Sequence, residues 1–136
     1  MYTSVIPNLL VDGISEAIRD SEALKIYICN IMTQDGETEG MTASDHVTAL
    51  LNHGAPGLVD ICLANTAAVR PGLLERYQAE DAAPIVVDRS AVEALGVELV
   101  ERPLASETLD YARHSSERLA QAILELYRER AETKVF

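Results

Sequence analysis

The sequence predicts an α/β fold, a three-layer Rossmann-like domain with a mainly parallel sheet, and three observations carry that prediction. Strand-like and helix-like segments alternate along the chain. The strand-like runs are short, β-branched and mostly continuous in apolar residues, as in strands covered on both faces. The first of them passes without a break into a polar, glycine-bearing loop and a capped helix, which is how a parallel strand delivers its carboxyl end to a ligand site. Taken in order, residues 5–21 carry a helical pattern that Pro7 permits near its start and Gly13 interrupts. Residues 24–31 form the first strand-like run, followed by the loop 32–41. Residues 43–53 read as a helix opened by Thr42, Ser44 and Asp45 and stopped by Gly54. A second strand is expected over 58–65, a helix over 71–79 and a third strand over 84–88. A helix over 89–95, stopped by Gly96, leads to a fourth strand over 97–102. The last helix, 116–131, repeats Leu119, Ala122, Ile123, Leu126 and Tyr127 at three- and four-residue intervals, with Glu117, Arg118, Glu125, Arg128 and Glu129 on the other face.

At 136 residues the chain suits a single domain spanning 1–136, and that size buries a core without disulfides or metal staples. Its 22 acidic and 11 basic residues give a formal net charge of −11, and its lysines are Lys25 and Lys134. Such a surface repels a phosphate backbone, so nucleic acid is not an expected partner. No apolar stretch reaches membrane-spanning length, and the N-terminus has neither a basic region nor a long hydrophobic segment, so no membrane insertion is expected and the location is read as cytoplasmic. Cys29 and Cys62 lie inside apolar runs and read as inert core thiols.

The stretch from Asn30 to His46 is the most informative. Thr33 and Gln34 offer hydrogen bonds to a base, ribose or sugar just past a strand end, within a loop that also holds Asp35, Glu37, Thr38 and Glu39. Asp35, Glu37 and Glu39 offer oxygen ligands to a divalent cation, but acidic residues alternating on a glycine loop are common solvated turn chemistry, so no metal is expected. No cofactor is expected either. His46, on the first turn of the helix, reads as a structural hydrogen-bonder or a site residue; without a nucleophile the Asp45-His46 pair does not make a hydrolase. Thr3 and Ser4 place hydroxyls at the start of the first helix, where free backbone N–H groups favour phosphate, although a plain N-cap is the commoner role. Arg113 and His114 precede a helix opened by serines, an anion-receiving arrangement whose alternative is a capped helix with Arg113 in a surface ion pair.

The block Asn30-Ile31-Met32-Thr33-Gln34-Asp35-Gly36-Glu37-Thr38-Glu39-Gly40-Met41-Thr42-Ala43-Ser44-Asp45-His46 resembles the Asn-x-Met-Thr-Gln-x-Gly-Glu-Thr-x-Gly-x-Thr-Ala-x-Asp-His block of the gluconeogenesis factors, within the 2-phospho-L-lactate transferase (CofD-like) superfamily. Tyr2-Thr3-Ser4-Val5-Ile6-Pro7-Asn8-Leu9-Leu10-Val11 resembles the family block that follows a Gly-Pro-Gly-Ser loop. That loop, and the glycine-rich loop opening the nucleotide-binding half, do not occur in these 136 residues. The resemblance thus covers the C-terminal part of a CofD-like nucleotide-binding domain, truncated at its N-terminal side. It implies binding of a nucleotide-sugar such as UDP-N-acetylglucosamine, in a regulatory role coupling carbon metabolism to cell shape and envelope synthesis. The alternatives are a transferase moving a phospholactyl group from a guanosine-diphosphate carrier to a deazaflavin, or a fragment with no function of its own.

The ligand-binding set the resemblance implies is Thr3, Ser4, Asn30, Thr33, Gln34, Glu37, Thr38, Asn65, Tyr77, Arg113 and His114, with no catalytic residue. In this set Thr3 and Ser4 contact diphosphate, Asn65 a base or ribose, and Tyr77 stacks on or hydrogen-bonds the ligand, its alternative being a half-buried helix aromatic. Arg113 and His114 match an Arg-His-Asp block in which Ser115 replaces the aspartate. An uncovered strand edge or apolar face is expected to drive homo-oligomerisation.

Overall fold

The computed structural model describes residues 1–107 and 110–133. Its elements run α1 (Ile6–Leu9), α2 (Ile14–Asp20), β1 (Ile26–Ile28), α3 (Ala43–His53), β2 (Ile61–Asn65), α4 (Pro71–Ala79), α5 (Arg89–Ala94), β3 (Glu98–Arg102) and α6 (Ser116–Thr133). The strands form a parallel sheet in the order β1-β2-β3, with Tyr27 opposite Cys62 and Cys62 opposite Leu99. Parallel strands end on one side, so the segments leaving β1, β2 and β3 emerge together.

Side chains alternate across the sheet and build two cores. Tyr27, Cys29, Cys62, Ala64 and Leu99 face one way and pack on Ile6, Leu9, Val47, Leu50 and Val92 from α1, α3 and α5. Ile61, Leu63 and Val100 face the other way, onto Ala122 and Leu126 of α6. Helices therefore cover both faces, and burying each large aliphatic there contributes about 1.5–3 kcal/mol. Cys29 and Cys62 are buried free thiols. The hydrogen bond to Cys62, and then burial, push the Cys29 thiol well above the usual range, which keeps it protonated and inert.

The interrupted first helix is observed: Gly13, at φ 83°, sits between α1 and α2 in a left-handed conformation that suits glycine. A capping box starts α3, in which the Thr42 hydroxyl accepts from Asp45 N and the Asp45 carboxylate accepts from Thr42 N. The expected strand over 84–88 does not form. Residues 83–85 do run beside the extension of β1, through Thr33 N to Ala83 O (2.7 Å) and Ile85 N to Ile31 O (3.0 Å), but the contact is an isolated antiparallel bridge between Met32 and Pro84. Pro84 has no N–H to continue a ladder. The expectation of Tyr127 on the buried stripe of α6 also fails. It is 62% exposed, at the rim of an apolar depression of about 830 Å³ bordered by Leu24, Ile26, Ile61 and Ile123 at the amino ends of the strands.

Candidate ligand site at the carboxyl ends of the strands

The three segments leaving the strands are tied together in one place. Asn65, the last residue of β2, uses Oδ1 to accept from Ala67 N (3.0 Å), Leu104 N (2.9 Å) and Ala105 N (2.9 Å), and its Nδ2 donates to Ala67 O (2.8 Å). His114 Nε2 lies 3.1 Å from Cys29 O, joining the segment before α6 to the end of β1. Burial pushes the His114 imidazole below its usual range, so it is neutral and donates this bond from Nε2–H. A third apolar cluster of Ile31, Met32 and Ala105, with Ala67, Val69, Leu74, Tyr77 and Ala112 against it, fills the space beneath. The three loops therefore gather at one edge; residues 108 and 109 of the third lie outside the described residues.

Within loop 32–41 the polar residues divide by task. Thr33 is buried, and its hydroxyl accepts from Ala83 N (2.9 Å). Thr38 is buried too, accepting from Gln34 N at 2.9 Å while its own N–H donates to Gln34 O at 2.8 Å. These bonds shape the loop backbone and leave the Gln34 side chain exposed. Asn30, half-buried directly after Cys29, makes no side-chain hydrogen bond among the described residues. Glu39 Oε1 accepts from Gly36 N at 2.6 Å, and Gly36 takes φ 69°, a left-handed turn that a Cβ would strain. Among the described residues no group of three or more His, Cys, Asp and Glu is arranged to hold a metal ion.

The start of the chain departs from expectation. Ser4 is not the N-cap of α1; that position is Val5, and no side chain caps the helix. The N–H groups of Ser4, Val5 and Ile6 all point at Met1 O (3.4, 2.9 and 3.2 Å) instead of standing free. Thr3 N (3.2 Å) and Thr3 Oγ1 (3.5 Å) donate to the Glu37 carboxylate, which also pairs with the Met1 ammonium at 2.5 Å. Those contacts, the hydrogen bond to the ammonium foremost, hold the Glu37 carboxyl below its usual range. His46 is fully buried, with Nδ1 2.8 Å from the Tyr27 hydroxyl and Nε2 without a partner among the described residues. Burial lowers its pKa and leaves it neutral, a structural hydrogen-bonder in the core.

Tyr77 lies on α4, half-buried in the third cluster, and its hydroxyl accepts from Ala112 N at 3.2 Å. Arg113 makes no ion pair among the described residues. Its guanidinium stands over the Tyr111 ring, 5.5 Å from the centroid. Ser115, which the resemblance matches to an aspartate, accepts from Arg118 N at 3.3 Å and so caps the first turn of α6.

Two features escaped sequence reasoning. Arg76 places its guanidinium 5.6 Å from the centroid of the same Tyr111 ring and donates to Asp110 O at 3.3 Å. Its helical position, one residue before Tyr77, was the available signal. Asp88 ties α3 to the start of α5, accepting from Ser44 Oγ (2.5 Å) and Ser44 N (2.9 Å). Burial pushes the Asp88 carboxyl up, but the bonds from Ser44 and Thr42 outweigh it and hold it below the usual range. An aspartate just before a helix signals a cap, and here the helix it serves is 44 residues back.

The chain is 46% identical over 125 residues to a gluconeogenesis factor of Halalkalibacterium halodurans, a match covering 92% of this chain and 39% of that protein. It is 37% identical over 129 residues to the gluconeogenesis factor of Bacillus subtilis, covering 95% and 41%. The crystal structure of a UPF0052-family protein from Bacillus halodurans superposes with a TM-score of 0.86 at 46% identity, over 90% of this chain and 39% of that one. The chain thus spans about two-fifths of the length of the relatives it matches. The family model described as 2-phospho-L-lactate transferase CofD matches residues 1–105, and with these likenesses it establishes that the chain belongs to the CofD family.

Proposed function

We propose that the chain is the C-terminal part of a CofD-like nucleotide-binding domain and binds a nucleotide-sugar of the UDP-N-acetylglucosamine type at the carboxyl edge of its sheet. On this reading it serves in a cytoplasmic regulatory protein affecting carbon metabolism, cell shape and envelope synthesis. The observation that carries the binding is Arg113. In a chain of net charge −11, its guanidinium is held on an aromatic face beside the three converging loops with no carboxylate on it among the described residues. Asn30 and Gln34 supply amides at the same edge, matched to the hydroxyls and carbonyls of a sugar or base. The gluconeogenesis-factor relatives support the regulatory role. Calorimetric titration with UDP-N-acetylglucosamine tests it: Arg113→Glu, replacing a charge-assisted hydrogen bond with repulsion, is expected to lower affinity by about 2–3 kcal/mol while leaving the melting temperature unchanged. Equal affinity in the two proteins would remove Arg113 from the site.

The family match favours one second reading, a phospholactate transferase using a guanosine-diphosphate-linked donor. Phospholactyl transfer to a deazaflavin, followed by mass spectrometry, separates the two. The outer edge of β1 has no strand beside it among the described residues, and the apolar depression opens next to it. This supports association with a second copy, which light scattering at several concentrations tests.

A further inference from the structure

Most arginines of this chain stand beside carboxylates: Arg19, Arg89, Arg102, Arg118 and Arg130 each have one. Arg76 and Arg113 do not, among the described residues, and both stand over one ring, that of Tyr111. Two like charges brought to one tyrosine repel each other, and in an acidic chain carboxylates are abundant to separate them. The ring holds both guanidiniums near one place; Arg76 spends one N–H on Asp110 O at 3.3 Å, and the remaining N–H groups of the two arginines suit the bidentate uptake of phosphate. On the Arg76 side lies an open depression of about 320 Å³ lined by Arg70, Gly72, Leu73, Arg76 and Asp110. Tyr77, next to Arg76, receives the Ala112 N–H, and Arg113 O accepts from Ser106 N at 2.8 Å, so the two residues that follow Tyr111 are both held.

We infer that Arg76 and Arg113, held by Tyr111, form a two-guanidinium clamp for the diphosphate of the ligand, an inference that rests on the nucleotide-sugar reading for the identity of that ligand. The phosphates then sit between α4 and the segment before α6, not at the start of α1. There the Glu37 carboxylate already receives both Thr3 donors. Arg76 is a ligand-contacting residue on this assignment, and Tyr111 is a positioning residue.

The test titrates the 136-residue chain separately with UDP-N-acetylglucosamine, pyrophosphate and uridine, followed by amide chemical shifts so that millimolar binding registers. Both phosphate-bearing probes are expected to shift residues 70–77 and 110–114. Arg76→Gln should weaken both by about tenfold or more, the loss of one charge-assisted bond. Tyr111→Leu should weaken both and Tyr111→Phe should restore them, a rescue that separates stacking from the hydroxyl. Arg128→Gln, which removes the same charge from an exposed site on α6, should change neither. UDP-N-acetylglucosamine binding that is indifferent to Arg76→Gln overturns the clamp and leaves the nucleotide-sugar reading standing. Pyrophosphate binding that depends on Arg76, with no added affinity for the nucleotide-sugar, supports the clamp and removes that reading. Binding of neither probe overturns both.

Discussion

Replacing Asn65 with alanine removes one acceptor from three backbone donors and one donor from a carbonyl. The donors belong to Ala67, Leu104 and Ala105, and the last two residues are buried. A hydrogen bond contributes about 1 kcal/mol net, but a buried N–H left without a partner costs about 1–3 kcal/mol. Two such donors and a partly exposed third give an expected loss of about 3–5 kcal/mol, a large share of the roughly 5–15 kcal/mol that stabilises a domain. Asn65→Asp refines the test. Its carboxylate still accepts from the three N–H groups, but it loses the donor to Ala67 O and sets an oxygen against that carbonyl, so it should recover only part of the loss. Urea unfolding followed by circular dichroism gives both differences, and hydrogen exchange at Leu104 and Ala105 shows whether the damage is local. A loss below about 1 kcal/mol for Asn65→Ala would mean that the backbone finds other acceptors and that Asn65 does not organise the site.

Two further outcomes follow from the fold. At Gly54 a Cβ would lie 2.6 Å from Leu58 Cδ2 and 3.0 Å from Leu50 O, so Gly54→Ala should lower stability by about 1–3 kcal/mol in the same unfolding assay. Asp88 has a folded-state pKa below its unfolded value, so its contribution is present above the ordinary carboxylate range and is lost as pH falls through the folded value; melting temperatures measured from neutral to acid pH should decline less steeply in Asp88→Asn than in the parent, and parallel curves would exclude this role.

What the sequence disclosed, and what it hid, divides by how local the cause is. The limits of α3 and α4 were readable because Thr42 with Asp45, Gly54 and Pro71 act within a turn of where they sit. The parallel order was readable because continuous apolar runs require cover on both faces. The strand expected over 84–88 was lost to one missing N–H at Pro84, a local fact that apolar character concealed. Ser4 looked like a cap, yet the Met1 carbonyl takes the donors a cap would satisfy. The contacts of Arg76 with Tyr111, and of Asp88 with Ser44, join residues 35 and 44 positions apart once the loops have folded, and no periodicity marks them in advance.

The polar residues at the carboxyl edge fall into two groups that ought to answer differently to substitution. Thr33, Thr38, Asn65 and His114 direct their side chains at backbone groups and so build the rim. Among the described residues Asn30, Gln34 and Arg113 make no side-chain hydrogen bond, and Arg76 spends one N–H on Asp110 O. On the proposed reading, a rim fixed by the first group would present the second without further ordering on binding, and such preorganisation raises affinity by lowering its entropic cost. Substitutions in the first group should therefore lower stability and affinity together, whereas Gln34→Ala and Arg76→Gln should lower affinity for UDP-N-acetylglucosamine at constant melting temperature. Loss of affinity without loss of stability in the first group, or the reverse in the second, would mean that the rim and the contacting groups had been assigned the wrong way round.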